Sequence, residues 1–199
     1  SDLPWYTGDT LMGTLESVEI NRKSAQNDFR FPVQYVNRPN LDFRGFCGTV
    51  ALGEVAVGDE IVALPSGKKS TVKEIVTFDG NLQRAFAGQA VTLTLNDEID
   101  ISRGNMLVKA GDQPLASRSV RASVVWMNDQ PLVKGKLYNV KLGTQTVPAK
   151  VAEINYRVNV NTLEKTQVEQ LDLNAIADVQ IEFDAPVVFD RYRESRHTG

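Results

Sequence analysis

From Phe29 onward, hydrophobic and polar positions alternate with a period of two along most of the chain. In "FRFPVQYV" the residues Phe29, Phe31, Val33 and Tyr35 share one face, and Pro32 marks an edge position or a strand start. In "AVTLTL" Val91, Leu93 and Leu95 oppose Thr92 and Thr94. Further on, Val120, Ala122, Val124 and Trp126 line up. Ala152, Ile154, Tyr156, Val158 and Val160 do the same against Glu153, Asn155, Arg157, Asn159 and Asn161. Ala177, Val179, Ile181 and Phe183 then face away from Asp178, Gln180 and Glu182. One dry and one wet face on many short strands predicts antiparallel sheets closed into barrels. Between Phe46 and Ile75 the glycines Gly48, Gly53, Gly58 and Gly67 leave no room for a helix. Gly58-Asp59 and Pro65-Ser66-Gly67 carry turns there, because proline presets φ and glycine accepts positive φ.

Only the start has helical spacing. Leu11, Leu15 and Val18 fall on one helical face, with Asp9 or Thr10 as N-cap and Gly13 as a weak point. A helix this short needs a docking partner to persist. "NRKSAQND" follows as a polar loop, and "NRPNLDFRGF" is a long loop between strands. "LEKTQVEQLD" (163–172) reads as a helical turn or a loop. "KAGDQPLAS" (109–117) is polar and aperiodic, the best domain boundary. The predicted organisation is a linker with a short helix over 1–27, a barrel over 28–111 and a second barrel over 112–199.

Charge and chemistry narrow the function more than the fold. The 199 residues carry 22 Lys and Arg against 25 Asp and Glu, a net charge of −3. That balance argues against a dedicated nucleic-acid binder. No apolar run approaches the roughly eighteen residues of a membrane span, so a cytoplasmic protein is expected. Cys47 is the only cysteine, which rules out an internal disulfide and points to a reducing compartment. It reads as a small core residue and not as a reactive thiol. His197 is the only histidine, so these residues assemble neither a Ser-His-Asp triad nor a His-rich metal site. No P-loop or G-x-G-x-x-G occurs. "LPSGKKS" lies between strands and does not open a helix, so it is a hairpin turn and not a phosphate cradle. Asp97, Glu98 and Asp100 read as a solvated turn. Arg191, Arg193, Arg196 and His197 read as a charged surface end balanced by Asp190 and Glu194. No catalytic residue, metal ligand or nucleotide-binding residue is assigned in this chain.

The loop "NRPNLDFRGF" is where function is expected. Arg38, Asn40, Asp42, Phe43, Arg44 and Phe46 concentrate arginine and aromatic side chains, the usual anchors of interfaces, in a connector longer than a hairpin requires. They are the candidate partner-contact residues.

"GTVALGEVAVGDEI" is similar to the second-domain signature of the translation-factor GTPase superfamily. "PWYTGDTLMGTLE", "RFPVQYVNRPNLDFRGFCGTV", "LPSGKKSTVKEIVTFDG", "AFAGQAVTLTLNDEIDISRGNMLV" and "SVVWM" narrow the likeness. Together they resemble the large, GTP-binding subunit of sulfate adenylyltransferase, from about Leu3 to the end. That resemblance implies a GTPase domain followed by two β-barrels like the second and third domains of elongation factor Tu. This chain matches only the barrels, and the P-loop, DxxG and NKxD motifs are absent from it. GTP and Mg would belong to the missing domain, and no cofactor to this chain. Adenylyl transfer from ATP to sulfate would belong to a small catalytic subunit. The expected partners are therefore the protein's own GTPase domain and that small subunit, with neither membrane nor nucleic acid. The family continues with further strands past a segment like "DRYRESRHTG", so the second barrel is expected to be incomplete. The alternative reading is a pair of RNA-binding barrels of a translation elongation factor, which would need a basic face.

Overall fold

The period-two stretches form antiparallel strands, each bounded by the turn residues that break the alternation. The structure is a computed structural model that describes residues 5, 7–17, 28–40, 43–112 and 114–199. In the first unit the strands are β1 (Phe31–Asn37), β2 (Gly45–Thr49), β3 (Glu54–Ala56), β4 (Glu60–Leu64), β5 (Lys68–Thr77), β6 (Gly80–Leu82), β7 (Arg84–Phe86), β8 (Ala90–Leu95) and β9 (Met106–Lys109). Pairing runs β4-β9-β1-β2-β8-β5, and β5 also pairs with β4, so the ladder comes round on itself. Inside lie Phe29, Phe31, Val33, Phe46, Ile61, Ile75, Leu93 and Leu107. Gly48 is required where β2 passes β1, because a Cβ there would sit 2.6 Å from the Pro32 carbonyl oxygen and 2.9 Å from the Phe31 ring. The "LPSGKKS" segment is the β4–β5 hairpin, with Gly67 at φ +72° and its N–H donating to the Ala63 carbonyl at 2.8 Å.

Two details of β1 depart from simple alternation. A register shift between Val33 and Tyr35 turns Tyr35 outward, where 62% of it is exposed, although Phe29, Phe31 and Val33 are buried. Such a bulge adds one residue to one strand and so inverts the alternation beyond it. Pro32 is near the strand start, as expected, but not on an edge. It lies opposite Met106 of β9, while β2 pairs on the other side of β1.

The second unit contains β10 (Leu115–Val125), β11 (Leu132–Val133), β12 (Leu137–Leu142), β13 (Gln145–Val158), β14 (Lys165–Thr166), β15 (Gln170–Leu171) and β16 (Ile176–Phe189). The main path is β10-β16-β13-β12, with β14 on β13 and a separate β11–β15 ribbon. Ala177, Val179, Ile181 and Phe183 enter its core, and Val120, Ala122, Val124 and Trp126 pack against it. Residues 163–172, expected as a helical turn or loop, contribute the short strands β14 and β15 instead. Along β13 the expected single face is broken by register shifts at Val151/Glu153 and Ile154/Tyr156. Val147, Ala149, Val151 and Ile154 are therefore the buried set, whereas Tyr156 points with Asp178 to the outer face.

Alternation at the end of β16 sends Val187 into the second core and Val188 into a cluster with Met106 and Val108 of the first unit. Beside that cluster, Arg30 of the first unit is 2% exposed and grips Asp190. Its Nε donates to both Asp190 carboxylate oxygens at 3.1 and 3.0 Å, and its NH2 donates at 2.9 Å. The other guanidinium nitrogen donates to the Phe29 carbonyl at 3.0 Å and lies 3.4 Å from Asp112. Thr198 Oγ completes the shell by donating to Asp190 at 2.6 Å. The C-terminal segment thus differs from a plain charged surface end. Asp190, Ser195 and Thr198 are buried, and Asp190 answers Arg30 instead of balancing the tail arginines.

The helix α1 (Leu11–Ser17) forms with Thr10 as its N-cap, the Gly13 N–H donating to Thr10 Oγ at 3.0 Å. None of its residues is buried, with Leu11 76% exposed, so among the described residues it has no docking partner. Val18 lies outside the described residues.

Candidate partner-contact site

The loop after β1 turns back into β2 beside the segment that follows β8, so arginines from one meet carboxylates from the other. Arg38 NH2 lies 3.9 Å from Glu98, and Arg44 NH2 lies 3.9 Å from Asp100. Both carboxylates are largely in water, so each pair contributes under about 1 kcal/mol. The Arg44 guanidinium sits 5.6 Å from the centre of the Phe46 ring, an attraction between a cation and a π-face. Asn40 Oδ1 accepts the Phe43 N–H at 2.9 Å, which sets the path of the chain before β2. Phe46 itself is 2% exposed and belongs to the first core. Asp42 lies outside the described residues.

Phe43 explains the glycine that follows it. A Cβ on Gly45 would collide with Thr92 and lie 2.8 Å from the Phe43 ring, so only glycine lets the ring fold over the strand. Gly45, Thr94 and Glu74 are cross-strand neighbours on β2, β8 and β5. Together with Phe43 and Arg44, Thr94 and Glu74 line a cleft whose other walls include Leu95 and Glu98. Two buried polar atoms on this cleft, Arg44 Nε and Thr94 Oγ, have no hydrogen-bond partner in the protein. The pattern of "AVTLTL" places Thr94 on the wet side of its strand. It is only 6% exposed, and nothing local to the strand signals that burial. Asp97, the third acid of the turn, instead accepts the Ser70 hydroxyl at 2.9 Å. Among the described residues no cluster of acids, cysteine and histidine could hold a metal. Cys47 is half-buried with its sulfur 3.3 Å from Thr92 Oγ.

A second polar group, also not legible in the sequence, occupies the outer face of the second sheet. Asp178 accepts from Arg121 Nε at 2.8 Å and from the Asn155 amide at 2.6 Å, with the Tyr156 hydroxyl at 3.5 Å. Lys165 sits 4.4 Å above the Tyr156 ring. Desolvation pushes the Asp178 carboxyl upward, but the hydrogen bonds from Arg121 and Asn155 and the Arg121 charge outweigh it. Asp178 is therefore held below the ordinary aspartate value, and Arg121 is raised by the same partner.

Residues 119–199 match the family described as GTP-eEF1A C-terminal domain-like. Sulfate adenylyltransferase subunit 1 of Saccharophagus degradans is 56% identical over 198 residues, covering 100% of this chain and 42% of that protein. The chain resembles sulfate adenylyltransferase subunit 1 from end to end. The subunit 1 of Teredinibacter turnerae agrees, at 57% identity over 98% of this chain and 42% of its own length. The chain thus spans about two fifths of the length of these subunit 1 relatives. A crystal structure of sup35 complexed with GDP shares the fold, with a TM-score of 0.84 over 98% of this chain and 48% of that one, at 16% identity. The resemblance expected from the motifs and the mainly β, elongation-factor-like fold are both borne out. No helix among the described residues is long and apolar enough to cross a membrane.

Proposed function

We propose that this chain is the β portion of a sulfate adenylyltransferase subunit 1. In this reading it couples GTP hydrolysis in a GTPase domain outside this sequence to adenosine 5′-phosphosulfate synthesis by a small subunit in the cytoplasm. The observation that carries the reading is the end-to-end similarity to the subunit 1 proteins. GTP and Mg are assigned to residues outside this chain, in keeping with its lack of a phosphate-cradling loop. The Arg30–Asp190 grip suits a coupling element, because two units joined by a buried ion pair transmit rotation as one body. The 37–46 loop, through Arg38, Asn40, Asp42, Phe43 and Arg44, is the surface assigned to the small subunit, with Arg44 resting on the Phe46 ring. Glu98 and Asp100 beside its arginines weaken any attraction to phosphate, which disfavours an RNA-binding role.

The test is the double variant Arg38→Ala/Arg44→Ala in a full-length subunit that contains this sequence. Subunit assembly, or GTP stimulation of adenylyl transfer, is expected to weaken by about tenfold, equivalent to about 1.4 kcal/mol. GTP binding itself should survive. Unchanged assembly and unchanged stimulation would remove the loop from the interface. Saturable transfer-RNA binding by the same protein at moderate salt would favour the translation-factor alternative.

A further inference from the structure

The cleft beside the 37–46 loop has a floor that the protein does not complete by itself. Thr94 is 6% exposed, yet its hydroxyl has no partner in the protein, and neither does the buried Arg44 Nε. A buried donor left unpaired carries a desolvation penalty that is recovered when a ligand supplies an acceptor. The neighbours define what that ligand can be. Glu74, directly opposite Thr94 across the β5–β8 ladder, and Glu98 at the rim place carboxylates beside the two donors. Glu74, Asp97 and Glu98 outnumber the cleft's two cations, Arg44 and Lys73, so a carboxylate or phosphate reaching Arg44 would approach an excess of acids at an electrostatic cost. An uncharged amide meets both requirements, because its carbonyl accepts from Arg44 Nε and the Thr94 hydroxyl while its N–H donates to Glu74 or Glu98. The Phe43 ring and Leu95 offer apolar walls against which the plane of such a group can pack.

We infer that this cleft binds an uncharged amide, a main-chain peptide group or an Asn or Gln side chain, presented by a segment of the protein partner. The inference rests on the reading of the 37–46 loop as the small-subunit surface and adds the chemistry by which that surface recognises its partner. The acids at the rim select protein over nucleic acid, whose phosphates they repel.

Thr94→Val keeps the side-chain shape, removes only the hydroxyl and places a favoured residue in a strand. In the full-length subunit it should leave the melting temperature unchanged or raised, because an unpaired buried hydroxyl is lost. It should also weaken binding of the small subunit by about tenfold, the loss of one hydrogen bond made only in the complex. Because the acceptor is neutral, that loss should be the same at about 50 and about 300 mM salt, where screening differs severalfold. A lower melting temperature, or unchanged affinity for the small subunit, would overturn the inference. A loss that disappears at the higher salt would indicate a charged acceptor and overturn the amide assignment. Saturable binding of single-stranded RNA that Thr94→Val abolishes would do so as well. If Arg38→Ala/Arg44→Ala weakens the complex and Thr94→Val does not, only this inference fails. If neither does, the assignment of the surface fails first.

Discussion

Asp178 sits on an outward face yet behaves as a structural anchor, because three polar side chains converge on its carboxylate. Its depressed pKa fixes the sign of a pH effect. The unfolded carboxyl titrates near the ordinary 3.8, and the folded one titrates lower. The stabilisation is therefore fully present above 3.8 and is lost as pH falls through the folded value. Replacing Asp178 with Asn should cost about 1 kcal/mol at neutral pH, a value kept small because Arg121 is open to water. Urea unfolding of both proteins should show that gap narrowing as the pH is lowered below 3.8. A gap that stays constant down to acid pH would mean the carboxylate charge is not what holds the group together.

For whole strands, alternation identifies which residues share a face only until a bulge intervenes. β16 keeps one phase from Ala177 to Phe183, and all its expected core residues are in the core. β13 changes phase twice, so Tyr156 leaves the face on which Ile154 is buried. Ile154→Ala and Ile181→Ala should each cost about 2–5 kcal/mol, because both leave cavities among packed strands. Gln180→Ala should cost under about 0.5 kcal/mol, because its amide's 2.6 Å bond to the Ser119 hydroxyl is exposed to water. Asn155 also lies opposite the expected apolar set, but its amide donates to Asp178 in a partly buried bond, so Asn155→Ala should cost about 1 kcal/mol. Denaturant midpoints of the four variants rank them. Equal losses at Ile181 and Gln180 would mean a sheet buried on both faces. α1 is the opposite case, since Thr10 caps it as its sequence signals while the burial its leucines imply is not found among the described residues.

Across the whole molecule the decisive contact is Arg30 with Asp190, 160 positions apart in the chain. Removing one partner of a buried pair strands the other charge, so Arg30→Ala should destabilise by about 3–5 kcal/mol. Because the pair joins the two units, scanning calorimetry should also show one unfolding transition becoming two. Arg30→Met combined with Asp190→Leu should recover part of the lost stability, since neither charge is then left unpaired. A single transition in Arg30→Ala would show that the Met106, Val108 and Val188 cluster alone holds the units together.

Local pattern determined the strands, the glycine turns, the Thr10 cap, the core face of β16 and the motifs that resemble the sulfate adenylyltransferase subunit. Each of these depends on residues within a few positions of one another, where backbone sterics and the two-residue period act. Only the tertiary structure decided that Arg38 and Arg44 face Glu98 and Asp100, and that Thr94 lies buried beside an arginine with a free Nε. It also decided that the C-terminal segment, through Asp190, closes on the first unit. Those outcomes turn on which distant segment covers a given face, and a strand's own alternation carries no record of what will be packed over its polar side.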